Sequence, residues 1–175
     1  MHFRNVNQSK KMVIPDNVKT ISSGIFRNCI NLEYVHIKGP IEIMIKTFFG
    51  CYKLKDVILP PTIKYLGPDV FAYCKNIVSI NLPDSIYHWD DGVFAMCSNL
   101  KHVKLSNNMT YIPIRAFHNC SSLETLVIPS SVTEIGKGAF RNCTILKTLL
   151  MISSNKKFRF IGDNAFYGCQ FFKYA

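Results

Sequence analysis

Short apolar bursts separated by polar gaps run the length of the chain, and they return on a long, fixed period. The clearest copy is Leu123-Glu124-Thr125-Leu126-Val127-Ile128-Pro129-Ser130-Ser131-Val132-Thr133-Glu134-Ile135-Gly136-Lys137-Gly138-Ala139-Phe140-Arg141-Asn142-Cys143. Within it, Leu126-Val127-Ile128 reads as a half-buried strand, two inward positions flanking an outward one. Pro129 ends that strand, because proline cannot donate to a ladder. Val132 to Ile135 reads as a second extended stretch turned toward the same core. Gly136 and Gly138 permit a tight bend, and Ala139-Phe140-x-x-Cys143 spaces apolar residues by one turn, which predicts a short helical or 3-10 turn.

Cysteine marks the period. Cys29, Cys51, Cys74, Cys97, Cys120, Cys143 and Cys169 are separated by 22, 23, 23, 23, 23 and 26 residues. Three residues before each stands a phenylalanine: Phe26, Phe48, Phe71, Phe94, Phe117, Phe140 and Phe166. Eight before stand Ile21, Ile43, Leu66, Trp89, Ile112, Ile135 and Ile161, and three after come Leu32, Leu54, Ile77, Leu100, Leu123, Leu146 and Phe172. The strand columns follow, Val35, Val57, Ile80, Val103, Leu126 and Leu149, then Ile37, Leu59, Leu82, Leu105, Ile128 and Met151. Phe3-Arg4-Asn5-Val6 aligns with Phe26-Arg27-Asn28-Cys29, so valine fills the cysteine column there. The array reads as one domain over 1–175, with a partial repeat at 1–11, repeats through 12–169 and a truncated final repeat at 170–175.

A single unit holds too little apolar surface to fold alone, so neighbours must stack and share a core. About seven stacked units are expected, roughly 4.8 Å apart at the strands. Two irregularities stand out. Ile37-Lys38-Gly39-Pro40-Ile41 replaces the usual strand-closing proline, and Ser153 to Phe158 is expected to bulge as a loop.

The pattern L-x-x-V-x-I-P-x-x-V-x-x-I-G-x-x-A-F-x-x-C resembles the BspA-type leucine-rich repeat, over nearly the whole chain. The resemblance implies a strand-rich repeat solenoid. It also implies an adhesin-like protein-interaction role at the surface of bacteria or anaerobic protists, engaging host matrix proteins or other cells.

Charge adds less. The net charge is +10, but the 21 Lys and Arg residues are spread through every repeat, concentrating only at Lys156, Lys157 and Arg159. A protein partner is therefore expected ahead of nucleic acid or an anionic polysaccharide. No apolar run reaches the roughly 18 residues of a membrane-spanning helix. The first residues carry no secretory signal, which makes the chain cytoplasmic as written, against the surface location that the resemblance implies.

The cysteines admit three readings. Stacked neighbours would lie close enough for disulfides, yet a uniform odd ladder gives no thiol a privileged partner. Zinc would require close C-x-x-C pairs, which are absent. Core packing is the reading that also accommodates Val6, since free cysteine behaves as a small hydrophobe. His2, His36, His88, His102 and His118 form no repeating cluster, and Asp90-Asp91 is an acidic doublet without a pocket motif. No nucleophile elbow, phosphate loop or metal-ligand run is present. The chain is read as non-enzymatic, with no cofactor and no metal. Asn-x-Ser/Thr sequons at Asn7, Asn108, Asn119 and Asn142 read as products of the repeat.

Function in a solenoid belongs to outward positions that stacking leaves free. Between the inward strand residues stand His36, Ile58, Asn81, Lys104, Val127 and Leu150, and just before the strand stand Tyr34, Asp56, Ser79, His102, Thr125 and Thr148. The candidate partner-binding set is Tyr34, His36, Asp56, Ile58, Asn81, His102, Lys104, Val127 and Leu150, a mixture of aromatic, basic and apolar side chains suited to an interface core. Phe171, Phe172 and Tyr174 leave an apolar end without an evident cap, so end-to-end self-association is a second expectation.

Overall fold

The structure, a computed structural model, describes residues 8–39, 42–151 and 158–170. Each unit contributes a longer odd-numbered strand and a two-residue even-numbered one. They run β1 (Lys11–Ile14), β2 (Thr20–Ile21), β3 (Tyr34–Ile37), β4 (Glu42–Ile43), β5 (Asp56–Ile58), β6 (Tyr65–Leu66) and β7 (Ser79–Asn81). The series continues with β8 (His88–Trp89), β9 (His102–Lys104), β10 (Tyr111–Ile112), β11 (Thr125–Ile128), β12 (Glu134–Ile135), β13 (Thr148–Met151) and β14 (Phe160–Ile161). Pairing is parallel throughout. The odd strands form sheets β1-β3-β5, β7-β9 and β11-β13, and the even strands form β2-β4-β6-β8 and β10-β12-β14. The chain is thus a strand-rich solenoid of stacked turns.

The bend that closes each unit, expected of Ala139-Phe140-x-x-Cys143 as a short helical or 3-10 turn, is held by i to i−3 bonds without a continuous helix. Among the described residues no α-helix forms, and the segment is a run of turns. Arg27 N–H bonds Gly24 O at 2.9 Å and Cys29 N–H bonds Phe26 O at 3.2 Å, the i to i−3 bonds of a tight turn. Intervening residues donate elsewhere, to the next unit. Phe26 donates to Thr47, Phe48 to Val70, Phe71 to Val93, Phe94 to Ala116, Phe117 to Ala139 and Phe140 to Ala165, all at 2.8–3.0 Å. The residue before each cysteine does the same, from Asn28 to Phe49 through Asn142 to Tyr167 at 2.7–2.9 Å. Helix-like spacing thus builds a third parallel ladder along a turn edge.

That edge needs left-handed backbone. Positions five and one before each cysteine have positive φ in every unit, from Gly24 and Asn28 to Asn164 and Gly168. Glycine and asparagine occupy many of these positions at little cost. Lys46, Asp69, Tyr73, Met96 and Arg115 adopt the same conformation with φ of 53–65°, at a cost of roughly 1–2 kcal/mol each. Gly136 serves another need: a Cβ there would lie 2.5 Å from the backbone N of Ile114 in the preceding unit.

The phenylalanines stack face to face at the centre. Consecutive ring centroids from Phe26 to Phe166 are 5.2–5.7 Å apart, with interplanar angles of 4–11°. Beside them run the cysteines, buried from Cys29 to Cys143 and half-buried at Cys169, with none in a disulfide. From Cys51 onward each thiol donates to the phenylalanine carbonyl one unit back, Cys51 to Phe26 O at 3.0 Å through Cys169 to Phe140 O at 3.0 Å. Burial pushes the Cys74, Cys97 and Cys120 thiols above their ordinary pKa. The isoleucine column is fully buried except at Ile161, which is 41% exposed in the last described unit, where β14 pairs only with β12. The Ser153–Phe158 bulge lies outside the described residues except Phe158, which packs against the core. Val6, Lys156, Lys157, Phe171, Phe172 and Tyr174 also lie outside them.

Two expectations follow. Native protein treated with iodoacetamide will resist modification at Cys51, Cys74, Cys97, Cys120 and Cys143 until it is unfolded, as mass spectrometry of labelled peptides will show, since the buried thiols lack thiolate. Replacing Arg115 with Gly will raise the unfolding free energy by about 0.5–1 kcal/mol by relieving left-handed strain, whereas Gly138→Val will lower it by about 1–2 kcal/mol. Urea unfolding checks both.

Candidate functional site

The odd strands present the outward residues in register. Val13 pairs with His36 and His36 with Ile58. Asn81 pairs with Lys104, and Val127 with Leu150. The neighbouring row brings Tyr34 beside Asp56 and Ser79 beside His102. Alternation along each strand makes this geometry: residues two apart share a face, so Val35 and Ile37 go inward while Tyr34 and His36 go outward. Tyr34 and His36 meet edge to face with ring centroids 6.5 Å apart. Ile58, Val127 and Leu150 are each 44% exposed, and Val13, which continues the outward column into the preceding unit, is 50% exposed. Within each odd sheet, parallel register therefore sets the candidate residues of neighbouring units side by side in two adjacent rows.

A charged border runs beside these rows. Glu33 lies 3.4 Å from Lys10 and 3.5 Å from Lys55, and Glu124 lies 3.0 Å from Lys147. Lys10 and Lys55 hold the Glu33 carboxyl below its usual pKa. These exposed pairs fix side-chain positions more than they stabilise the fold.

The even strands carry a second outward column, one residue before the isoleucine column. In it Tyr65 pairs with His88 and Tyr111 with Glu134. The Tyr65 and His88 rings stack at 5.5 Å and 15°. Tyr65 hydroxyl donates to Asp90 Oδ2, and His88 Nε2 lies 3.4 Å from Asp90 Oδ1. Burial, then the Asp90 carboxylate, pushes the Tyr65 hydroxyl up to about 12. Tyr111 hydroxyl sits 3.2 Å from His88 Nδ1 and donates to Trp89 O at 2.6 Å, while Trp89 Nε1 donates to Tyr111 O at 2.9 Å. Asp91 accepts the Ile114 N–H at 3.1 Å.

This cluster bridges the gap between β8 and β10, where the even sheet is interrupted. Trp89 occupies the isoleucine column, and reciprocal side-chain bonds stand where strand pairing lapses. The acidic doublet thus works as structural glue. The column Glu42, Tyr65, His88, Tyr111, Glu134 was present in the sequence at the same period as the cysteines, and reading position nine before cysteine would have found it. Asn119 and Asn142, the sequons beside core cysteines, hold left-handed turns and bond each other, Asn142 Nδ2 to Asn119 Oδ1 at 3.0 Å. No three His, Cys, Asp or Glu side chains among the described residues are grouped to hold a metal ion.

The family model described as BspA type leucine rich repeat region (6 copies) matches residues 1–100 and 38–147. No curated protein matches the chain significantly. Among solved structures, the T. pallidum leucine-rich-repeat protein aligns with TM-score 0.82 at 24% identity, covering 92% of this chain and 77% of that one. A leucine-rich cell surface protein of Faecalibacterium prausnitzii aligns with TM-score 0.68 at 28% identity, covering 83% of this chain and 39% of that one. The pneumococcal vaccine antigen PcpA aligns with TM-score 0.51 at 15% identity, covering 93% of this chain and 57% of that one.

Removing the Tyr111 hydroxyl with Tyr111→Phe will lower the unfolding free energy by about 1 kcal/mol, because a half-buried hydrogen bond is lost while the ring remains. The single tryptophan, Trp89, reports the unfolding by its fluorescence. An unchanged midpoint would mean that the even-strand network does not brace the gap.

Proposed function

Because the chain belongs to the BspA-type leucine-rich-repeat family, we propose that it captures a protein partner on its odd-strand face, as an adhesin-like module at a cell surface. Leucine-rich-repeat arrays are in general protein-interaction modules, since stacked strands make an extended binding surface. The observation that carries the reading is the row of half-exposed apolar side chains, Val13, Ile58, Val127 and Leu150, interleaved with His36 and Lys104 on regular backbone. Apolar contacts of this kind supply affinity in a rigid frame, and Tyr34 and His102 beside them supply directional contacts. The surface setting draws support from the likeness to the Faecalibacterium prausnitzii cell surface protein, of which this chain spans 39%. No helix among the described residues is long and apolar enough to cross a membrane.

A second reading, an intracellular scaffold using the same face, draws on seven cysteines of which none is in a disulfide, since disulfides are the habit of oxidising compartments. Surface labelling of cells that express the full-length protein separates the two. Binding to purified extracellular-matrix proteins, measured by surface plasmon resonance, tests capture itself. His102→Glu combined with Lys104→Glu is expected to weaken capture about tenfold, the scale of one or two interface contacts. Unchanged affinity would move the site off the odd-strand face. A steep loss of affinity with added salt would indicate an anionic polymer as the ligand instead.

A further inference from the structure

Away from both strand faces, the turn edge of three successive units opens into a cleft of about 700 Å³. Arg115, Lys137 and Arg141 line it, with His118, Asn142 and Asn164. Some cations outside the cleft pair with acids: Lys10 and Lys55 with Glu33, Lys46 with Asp69, Lys147 with Glu124 and Arg159 with Glu134. Arg115, Lys137 and Arg141 have no such partner among the described residues. Arg141 lies 5.1 Å over the Tyr167 ring, which orients its guanidinium without neutralising it. The carboxylate of Asp91 is taken up by the Ile114 N–H at 3.1 Å, and Asp163 gives its backbone carbonyl to Gly138 N–H at 3.0 Å.

Two further features belong to the same cleft. His118 Nδ1 is buried without a hydrogen-bond partner. Burial, then Arg141 and Arg115, hold the imidazole below its ordinary pKa, which leaves the positive charge of the cleft to Arg115, Lys137 and Arg141. Gly138 sits between the two arginines, where a Cβ would lie 3.7 Å from Arg115 Cγ and 3.8 Å from Arg141 Cβ, and its missing side chain keeps the space open.

We propose that this cleft binds a sugar carrying one sulfate or phosphate ester, the ester seated between Arg115, Lys137 and Arg141. Guanidinium groups present forked donors that match tetrahedral oxyanions. The volume falls in the range of small-molecule sites and exceeds what the ester alone would fill. Asn164 offers an amide donor and acceptor to hydroxyl groups, and Ile114 gives the ring an apolar surface. An unbroken polyanion fits less well. Asp91 lines the adjoining cleft on the same edge, so a long chain of negative charge would run against it.

NMR titration of the whole chain with glucose 6-sulfate and with glucose 6-phosphate tests the site, with glucose and inorganic sulfate as the comparison probes. At least one ester should saturate with a Kd of about 1 mM or tighter at physiological ionic strength, glucose should not bind, and inorganic sulfate should bind more weakly than the ester. The preferred ester tells a sulfated source from a phosphorylated one. Saturation should also raise the His118 pKa, since the anion offsets the arginine field. Arg115→Gln and Arg141→Gln should each weaken binding about tenfold or more, while His102→Glu with Lys104→Glu leaves it unchanged, which separates this site from the odd-strand face. No saturation by either ester, equal binding of glucose, inorganic sulfate binding as tightly as the ester, or full affinity in the Arg→Gln variants would overturn the proposal. Affinity for heparin that survives both Arg→Gln variants while the esters fail to bind would do so as well, by assigning the charge to a diffuse surface.

Discussion

The structure depends on backbone N–H groups that leave their own unit and bond the next one. A turn that satisfied itself would need no neighbour. Here the turn edge sends N–H groups along the stack at three positions per unit, as Gly24 does to Ile45, Phe26 to Thr47 and Asn28 to Phe49. Left-handed residues recur at two of those three positions. A buried amide without a partner is costly, so the edge fixes how each unit sits on the last. It also fixes where length can change. The final interval between cysteines is three residues longer than the usual 23, yet Gly138 still reaches Asp163 at 3.0 Å and Phe140 reaches Ala165 at 2.8 Å. The additional residues fall between β13 and β14, away from the edge.

Burial then acts on positions that the ladders have already set. Phenylalanine rings stack because the turn edge places their backbones one spacing apart, and the cysteines fill the space beside them. The thiol contributes more than volume. Each Phe26-type carbonyl already accepts the N–H of the cysteine in its own unit, Cys29 to Phe26 at 3.2 Å, and takes a second bond from the thiol of the following unit. That double acceptance ties the side-chain column to the backbone column, which a valine at the same place would not do.

The core was legible in the sequence because burial restricts residue type: phenylalanine, cysteine and isoleucine recur where space and polarity are fixed. The outward rows were legible as positions, since alternation along a strand assigns faces. Turn geometry was not. The spacing of Ala139, Phe140 and Cys143 suits a helical turn and a left-handed bend equally, and Lys46, Tyr73, Met96 and Arg115 carry no residue signature of the conformation they adopt. The even-strand network was missed for another reason. Tyr65, His88 and Tyr111 differ in type, and only their shared offset from cysteine reveals that they stand side by side. The basic cleft draws on Arg115, Lys137 and Arg141, which occupy three different columns of the repeat, so no single column contains it.

The turn-edge ladder has a further consequence, for descent. Every unit offers donors on one side and matching acceptors on the other, an interface that repeats by translation and does not close on itself. Duplicating a whole unit in the gene inserts a piece whose two surfaces already fit its new neighbours. Gaining or losing one residue within the turn edge breaks that fit at once. Such an array can lengthen in single steps of a unit and scarcely at all by smaller ones, while its outward rows diverge from copy to copy.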